Sequence, residues 1–436
     1  MSQTHFTETL DYLYSLLPMY QRQGAKAFKK DLDNIQKLCW ELGLPQWQFQ
    51  SIHIAGTNGK GSVASMLNSI LMEAGMSTGL YTSPHLLSFT ERIRVKGKEI
   101  PEKEVVKFVA RHQDKIENIS PSFFELTVGM AFDYFAKRNV DIAVIETGLG
   151  GRLDSTDIIS PEISIITNIS LDHQNLLGDT LEKIATEKAG IIKKFTPVVV
   201  GADQEASMPV FLAKAGVVEA PLFCAEHRFS CSLKKWEANR QLIEVYDREE
   251  EESREYWLDL SGEYQLENLA TVLMAIEVLR EDGWEIPEKA IQRGLKKVKG
   301  NSGLRGRMEL LDKEPQTFAD TAHNEAGVEQ AMKQIQSLDH KNLHMVWGMV
   351  SDKDHEDILK LLPKDAQYYW VRPDVPRGFD AAALASKAAG LDLYGDIFDS
   401  VEKGLAAARK AAAKDDLIYI GGSTFVVSEV IPVYTT

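Results

Sequence analysis

A chain of 436 residues, 44% hydrophobic and 26% charged, has ordinary globular composition and is too long for one core, so about two or three domains are expected. A net charge of −15 with no basic patch argues against binding nucleic acid through its phosphates. Cys39, Cys224 and Cys231 form no close metal-type pair, the opening MSQTHFTETL has neither a basic start nor an apolar run, and no stretch nears the ~18 apolar residues of a spanning helix. These features predict a cytoplasmic chain with free thiols and no membrane partner.

Short β-rich runs at 51–55, 78–82, 141–147, 163–169 and 197–201 alternate with amphipathic stretches at 62–74, 102–117, 123–138 and 180–193. That alternation predicts βαβ units in a mostly parallel sheet, with right-handed crossovers and ligands at the carboxyl ends of the strands. Residues 205–260 break the rhythm, and the charged run DREEEESRE (247–255) reads as a solvated strand–turn region. Helices at 265–281 and 287–297 follow, then a Gly-rich basic connector around 299–307. The boundary placed there gives domains 1–298 and 299–436. Beyond it, strand-like runs at 316–322, 343–350, 367–372 and 416–421 interleave with helical patterns at 325–337, 354–361, 380–389 and 400–413. They predict a second, smaller Rossmann-like α/β domain.

Residues 55–62, AGTNGKGS, follow the first run. The strict phosphate-loop pattern needs Gly, four residues, then Gly-Lys-Ser/Thr; here Ile54 stands where the first Gly should be, and Gly61 takes the hydroxyl position. The setting still suits an anion, because N–H groups at a helix start are unsatisfied and the dipole favours negative charge. Gly56, Gly59 and Gly61 permit close backbone approach, and Lys60 would neutralise terminal phosphates. The alternative is a simple N-cap turn.

Other strand ends carry polar groups. Ser83 offers a hydroxyl to Mg²⁺ or serves as a turn residue before Pro84. Glu146 ends an apolar strand and precedes three glycines, as a metal ligand or as a salt-bridge partner of Arg152. By residue type His173 reads as a hydrogen-bonding strand-end group. Lys188 reads as a surface lysine or a partner of Glu187, although an apolar environment would depress its pKa and let the neutral amine react with CO₂.

Together the segments HIAGTNGKGSV (53–63), YTSPHLLSFTERIRV (81–95), FFELT (123–127), ETGLGGRLDSTD (146–157), ITNISLDHQNLLGDTLEKIATEKAGII (166–192), GEYQLENLA (262–270), RGRMEL (306–311), DTAHNEAG (320–327) and GGSTF (421–425) closely resemble the folylpolyglutamate synthase/dihydrofolate synthase family of the Mur ligase superfamily. The family spells its phosphate loop Gly-Thr-Asn-Gly-Lys-Gly. The resemblance implies an N-terminal P-loop ATPase-type domain with a mostly parallel sheet and a C-terminal Rossmann-like glutamate-ligase domain. It implies an ATP-dependent ligase that adds L-glutamate to a dihydropteroate or reduced-folate carboxylate through an acyl phosphate. At matching positions, Thr57, Asn58, Gly59, Lys60, Gly61 and Ser62 would cradle the ATP phosphates, with Asn268, Arg307 and Asp320 completing that site. Ser83, Glu146 and His173 would organise Mg²⁺, and a carbamylated Lys188 would hold a second. Arg92, His323 and Ser423 would hold glutamate. The pterin would lie near Ser122, Phe123, Phe124 and Glu125 and near Leu153, Asp154 and Ser155, with Phe124 a stacking surface or a core aromatic. Lys60, His173, Lys188 and His323 form the implied catalytic set, in a monomer.

Two departures stand out. Arg305-Gly306-Arg307 replaces the family's frequent Pro-Gly-Arg, leaving open which arginine reaches ATP. Asp320-Thr321-Ala322-His323 replaces Asp-Gly-Ala-His, and Thr adopts positive φ less easily than Gly. The competing functions are a Mur-type ligase acting on a UDP-linked sugar peptide and a nucleotide-binding switch without ligation. With only about 50 residues before the loop, the first would lack the usual N-terminal UDP domain; the second has no use for the Lys188 and His323 segments.

Overall fold

The computed structural model describes residues 3–16, 31–237, 239–351, 353 and 355–434. It divides into two compact units: Met1–Lys235, Leu242–Asp259 and Gln265–Leu304 in the first, and Trp236–Gln241, Leu260–Tyr264 and Arg305–Thr436 in the second.

The first unit contains an eight-stranded sheet. Its strands are β1 (Gln50–Ala55), β2 (Thr78–Tyr81), β3 (Ile93–Val95), β4 (Lys98–Glu99), β5 (Ile142–Glu146), β6 (Ile163–Ile166), β7 (Val198–Val200) and β8 (Leu222–Cys224), in the order β4-β3-β2-β5-β1-β6-β7-β8. All pairings from β2 to β8 are parallel; β3 and β4 add an antiparallel edge. The parallel strands read as mainly apolar runs because both faces are covered, and β2, β5, β6 and β7 are buried at every position. Chain order steps to either side of β1, which lies between β5 and β6, so the carboxyl ends of β2, β5, β1 and β6 stand side by side at a topological switch point.

The helix Lys60–Glu73 leaves β1 and is buried from Ser62 to Leu71. Helix Glu288–Leu295 packs on it so closely that Ser69 Oγ donates to Gly294 O at 2.7 Å. The unit boundary falls after Leu304, not at the expected 298/299. Residues Val298–Ser302 are helical, with the Asp259 carboxylate accepting from Val298 N and Lys299 N at 3.1 and 3.0 Å and Asn301 Nδ2 bonding Ser69 Oγ at 2.9 Å. The glycines of the connector suggest a break, but tertiary hydrogen bonds tie its first turn to the first unit.

A three-stranded sheet of order β11-β10-β9 is formed by β9 (Phe229–Glu237), β10 (Arg240–Asp247) and β11 (Glu252–Leu258). The acidic run 248–255 is exposed across its last turn and strand, whereas Asp247 is buried against Arg228 at 3.1 Å.

The second unit has a six-stranded sheet of order β12-β13-β17-β14-β15-β16, built from β12 (Glu309–Lys313), β13 (Gln316–Ala319), β14 (Leu343–Trp347), β15 (Gln367–Val371), β16 (Gly395–Phe398) and β17 (Leu417–Gly421). β13, β17, β14, β15 and β16 run parallel, and β12 is an antiparallel edge. Its core includes Trp347, Tyr419 and a Tyr368–Trp370 stack with ring centroids 4.7 Å apart. The fold is thus α/β, with a mostly parallel sheet in the first unit and a separate sheet in the second. Among the described residues no helix is long and apolar enough to cross a membrane.

Candidate active site

The glycine loop sits at the carboxyl end of β1. Gly56 has φ 146° and Gly59 φ 84°, conformations glycine adopts without strain. A Cβ at Gly56 would collide with Thr167 Oγ1, and one at Gly59 with Asn268 Oδ1. The segment that leaves the carboxyl end of β6 holds the loop from the other side: Thr57 N donates to Asn168 O at 2.8 Å, Asn58 N to Asn168 Oδ1 at 3.0 Å, and Ser170 N to Thr57 Oγ1 at 3.0 Å. Gln265 Nε2 reaches Ser62 Oγ at 3.2 Å, and Asn268 Nδ2 donates to Gln265 Oε1 at 2.8 Å. The structure therefore brings Thr57–Ser62 and Asn268 into one constellation.

Two ammonium groups converge on the Gly56 carbonyl: Lys60 Nζ at 3.0 Å and Lys188 Nζ at 2.7 Å. Lys60 also donates to Thr57 O at 3.0 Å. Lys188 is 4% exposed, so it is no surface lysine. Glu187 pairs instead with Arg152 at 2.8 Å, which also removes Arg152 as the partner of Glu146. Burial, reinforced by Lys60, pushes the Lys188 pKa down to about 7. A large fraction of that amine is neutral at physiological pH, the state carbamylation requires.

Glu146 ends β5 and is 5% exposed; its Oε2 accepts from Ser83 N at 3.2 Å. His173 adopts φ 50° at the start of the short helix Gln174–Leu177, with Nε2 3.9 Å from Asp172 Oδ2. Among the described residues no group of three or more His, Cys, Asp and Glu is arranged to hold a metal. One carboxylate, a hydroxyl and an imidazole do not make a closed cage. Ser83 and Glu146 offer the oxygen atoms that a hard cation such as Mg²⁺ takes together with water and phosphate.

Ser122 caps helix Phe123–Lys137 in a reciprocal box with Glu125, each side chain accepting from the other residue's backbone N–H. Phe124 lies against Gly148, where a Cβ would meet its ring, and 6.1 Å from Tyr81. Asp154 is buried and accepts from Leu149 N at 2.7 Å and Thr156 Oγ1 at 2.6 Å, while burial raises its pKa. Ser155 opens a 3-10 turn, Ser155–Ile158. Arg92 is buried, donates from Nε to His85 Nδ1 at 2.7 Å and stands 5.6 Å over the Phe123 ring. Burial lowers the pKa of both Arg92 and His85.

The remaining expected residues belong to the second unit. Asp320 accepts from Tyr264 Oη at 2.7 Å, Met308 N at 2.6 Å and Ala322 N at 2.7 Å. His323 Nδ1 lies 3.0 Å from Thr321 O, and Ser423 caps helix Thr424–Val430. Arg305 is ion-paired with Glu309, which leaves Arg307 the more available guanidinium. Thr321 takes no positive φ; its hydroxyl donates to Gly306 O at 3.2 Å, and Gly306 has φ 68°. Residue types alone do not single out His53, Thr156, Asn168 or Gln265. The one available signal is a histidine interrupting an apolar strand.

A parallel sheet with a glycine loop at its switch point, followed by a second α/β unit, is the architecture of a Mur ligase. The Mur ligase middle domain matches residues 54–276, and the Mur ligase glutamate ligase domain matches residues 306–424. The chain is 33% identical to the dihydrofolate synthase/folylpolyglutamate synthase of Bacillus subtilis, over 92% of this chain and 94% of that protein. It is also 33% identical to the "Probable bifunctional folylpolyglutamate synthase/dihydropteroate synthase" of Haloferax volcanii, covering 99% of this chain and 50% of that longer protein. The structure of Escherichia coli FolC in complex with DHPP and ADP superimposes with a TM-score of 0.85, at 30% identity, over 98% of this chain and 97% of that one. A bifunctional folylpolyglutamate synthase/dihydrofolate synthase with Mn, AMPPNP and L-glutamate bound gives 0.83 at 28% identity over 99% and 98%. The chain belongs to the folylpolyglutamate synthase/dihydrofolate synthase family, and it is an ATP-dependent ligase of that family.

Proposed function

We propose that the chain transfers the γ-phosphoryl group of ATP to the carboxylate of a pteroate or folate acceptor and couples the resulting acyl phosphate to L-glutamate. A carboxylate does not acylate an amine directly, because its oxygen is a poor leaving group and proton transfer wins. Phosphorylation supplies the leaving group; the glutamate amine then displaces phosphate. In-line phosphoryl transfer depends on positioning and charge stabilisation more than on covalent help from the protein.

The observation that carries the reading is the convergence of Lys60 and Lys188 on the Gly56 carbonyl within the glycine loop. Lys60, the first residue of its helix, puts positive charge where a polyphosphate needs it, and Lys188 brings beside it the amine that a carbamate would occupy. Lys60 holds the β- and γ-phosphates, Gly59–Ser62 donate backbone N–H groups, and Asn168, which holds Thr57 and Asn58, supports the loop together with Asn268. Ser83, Glu146 and His173 would hold a divalent cation, and Lys188, as a carbamate, a second; such cations screen charge between phosphate and carboxylate. Phe124 and the segment Leu153–Ser155 receive the pterin, and Arg92 serves the incoming glutamate. In the second unit, Arg307 and Asp320 serve the nucleotide and His323 and Ser423 the glutamate. The DHPP and ADP named for Escherichia coli FolC, and the AMPPNP and L-glutamate named for the second bifunctional synthase, support this assignment of substrates.

An ADP-release assay with dihydropteroate or tetrahydrofolate as acceptor tests it. Release should require ATP, a divalent cation, glutamate and one of the two acceptors, and Lys60→Ala should abolish turnover. Release that continues unchanged when glutamate or acceptor is left out defeats the proposal.

A further inference from the structure

A string of buried polar groups links β1 to the segment 148–158, and the phosphoryl-transfer step makes no use of His53 or Thr156. His53, in the middle of β1, is 0% exposed, and its Nε2 lies 2.8 Å from Thr156 Oγ1. The Thr156 hydroxyl donates to Asp154 Oδ1 at 2.6 Å, and Thr156 N donates to the same oxygen at 3.0 Å. The other carboxylate oxygen accepts from Leu149 N at 2.7 Å. Asp154 therefore fastens together two backbone points, Leu149 and Thr156, that bracket Leu153–Ser155.

Proton counting fixes the direction of the string. An ionised Asp154 can only accept, so the single Thr156 hydroxyl proton points to it. Towards His53 the same oxygen is then an acceptor, and His53 must be the neutral Nε2–H tautomer. Its Nδ1 has no hydrogen-bond partner and faces Asp157 Oδ1 at 3.9 Å, while that oxygen pairs with Lys193 Nζ at 2.7 Å. Burial first, then Lys193, pushes the His53 pKa down to about 3, consistent with a permanently neutral ring. A neutral donor inside a strand is a costly group to bury unless its bond is made, so the Thr156 contact is strongly held.

We propose that His53 is a positioning residue for acceptor binding, acting through Thr156 and Asp154 on the segment Leu153–Ser155; this rests on the reading of that segment as part of the acceptor site. The strand that carries the nucleotide loop thereby also sets the shape of the acceptor loop, through side chains rather than through the phosphate-binding backbone.

The test is a set of steady-state KM values for acceptor and ATP in the full-length enzyme, with thermal unfolding to confirm folding. Thr156→Val and His53→Leu should each raise the acceptor KM about tenfold, ~1.4 kcal/mol, with the ATP KM unchanged. His53→Gln, whose amide can donate in place of Nε2–H, and Thr156→Ser should restore most of the affinity. The double variant His53→Leu/Thr156→Val should be no worse than the poorer single, because the groups act in series. A parallel rise in ATP KM, failure of both conservative variants, or additive losses in the double overturns the proposal. If His53→Leu does not fold, the Thr156→Val and Thr156→Ser pair decides it alone. Leu153→Ala separates the two levels: an unchanged acceptor KM removes the acceptor assignment and the proposal with it. A raised KM there beside wild-type Thr156→Val removes the positioning role only.

Discussion

Lys188 shows how burial changes what a side chain can do. In an exposed helix it would be a hydrated cation; 4% exposed and beside Lys60, it has a pKa of about 7. The amine's pKa falls on folding from 10.5 to about 7, so between those values the unfolded chain binds more protons. Stability should therefore rise with pH from about 7 to about 10.5, by up to ~1.4 kcal/mol for each pH step of one. Below pH 7 the cost of burying the ammonium is present in full. Unfolding midpoints at pH 7 and 9 in CO₂-free buffer should differ for the unmodified protein and much less for Lys188→Met; equal slopes would remove this account of the lysine. If the carbamate is formed, Lys188→Ala should lose most of its turnover and regain part of it with a short carboxylic acid in the assay. Wild-type rates in Lys188→Ala would end the carbamate proposal. Neither the burial of Lys188 nor the role of His53 is legible from residue type. A Glu-Lys pair in an amphipathic run usually faces water, and a single histidine in an apolar strand gives no direction for its ring.

At the level of elements, the loop and its helix are the most legible part of the chain, because a run of glycines after an apolar strand has few structural explanations. Helix Gln265–Glu281 is legible to the residue because its length and run of strong helix formers outweigh local ambiguity, although the structure buries it around most of its circumference. The edge strands β12 and β16 leave no such signal. β16 is Gly395–Phe398, exposed or half-exposed throughout, and such a short polar strand exists only because β15 offers it a hydrogen-bonding edge. The connector near residue 300 misleads for the related reason that Gly and Ser mark breaks on average, whereas Asp259 caps a helical turn there. The same logic makes the loop testable. Gly59 combines φ 84° with a Cβ position blocked by Asn268 Oδ1, so Gly59→Ala meets both backbone strain of about 1–3 kcal/mol and a side-chain collision. It should raise the ATP KM by at least about tenfold and lower the unfolding midpoint. Gly75→Ala, also at positive φ but with open space around its Cβ, should lower the midpoint and leave the ATP KM alone. Equal ATP KM values for the two variants would mean that the loop does not hold the nucleotide.

Across the whole molecule, each unit has its own apolar cores: clusters around Phe123, Phe132 and Phe135 and around Ile166, Ile184 and Phe211 in the first, and one around Trp347, Trp370 and Tyr419 in the second. Separate cores give separate cooperative units, so a single two-state transition is not expected. Calorimetry of the full chain should resolve two overlapping transitions, with a calorimetric enthalpy larger than the van't Hoff value. A ligand that binds only the native state stabilises it by RT ln(1 + [L]/Kd), about 2.7 kcal/mol at a hundredfold excess over Kd. Because the glycine loop, Lys60 and Asn268 all lie in the first unit, a non-hydrolysable ATP analogue with Mg²⁺ should move one transition upward by a few degrees. Lys60→Ala should abolish that displacement without merging the transitions. The two halves of the result separate two claims. One transition with equal enthalpies would mean that the cores unfold together, whereas two transitions insensitive to both nucleotide and Lys60 would place the phosphates somewhere other than the loop.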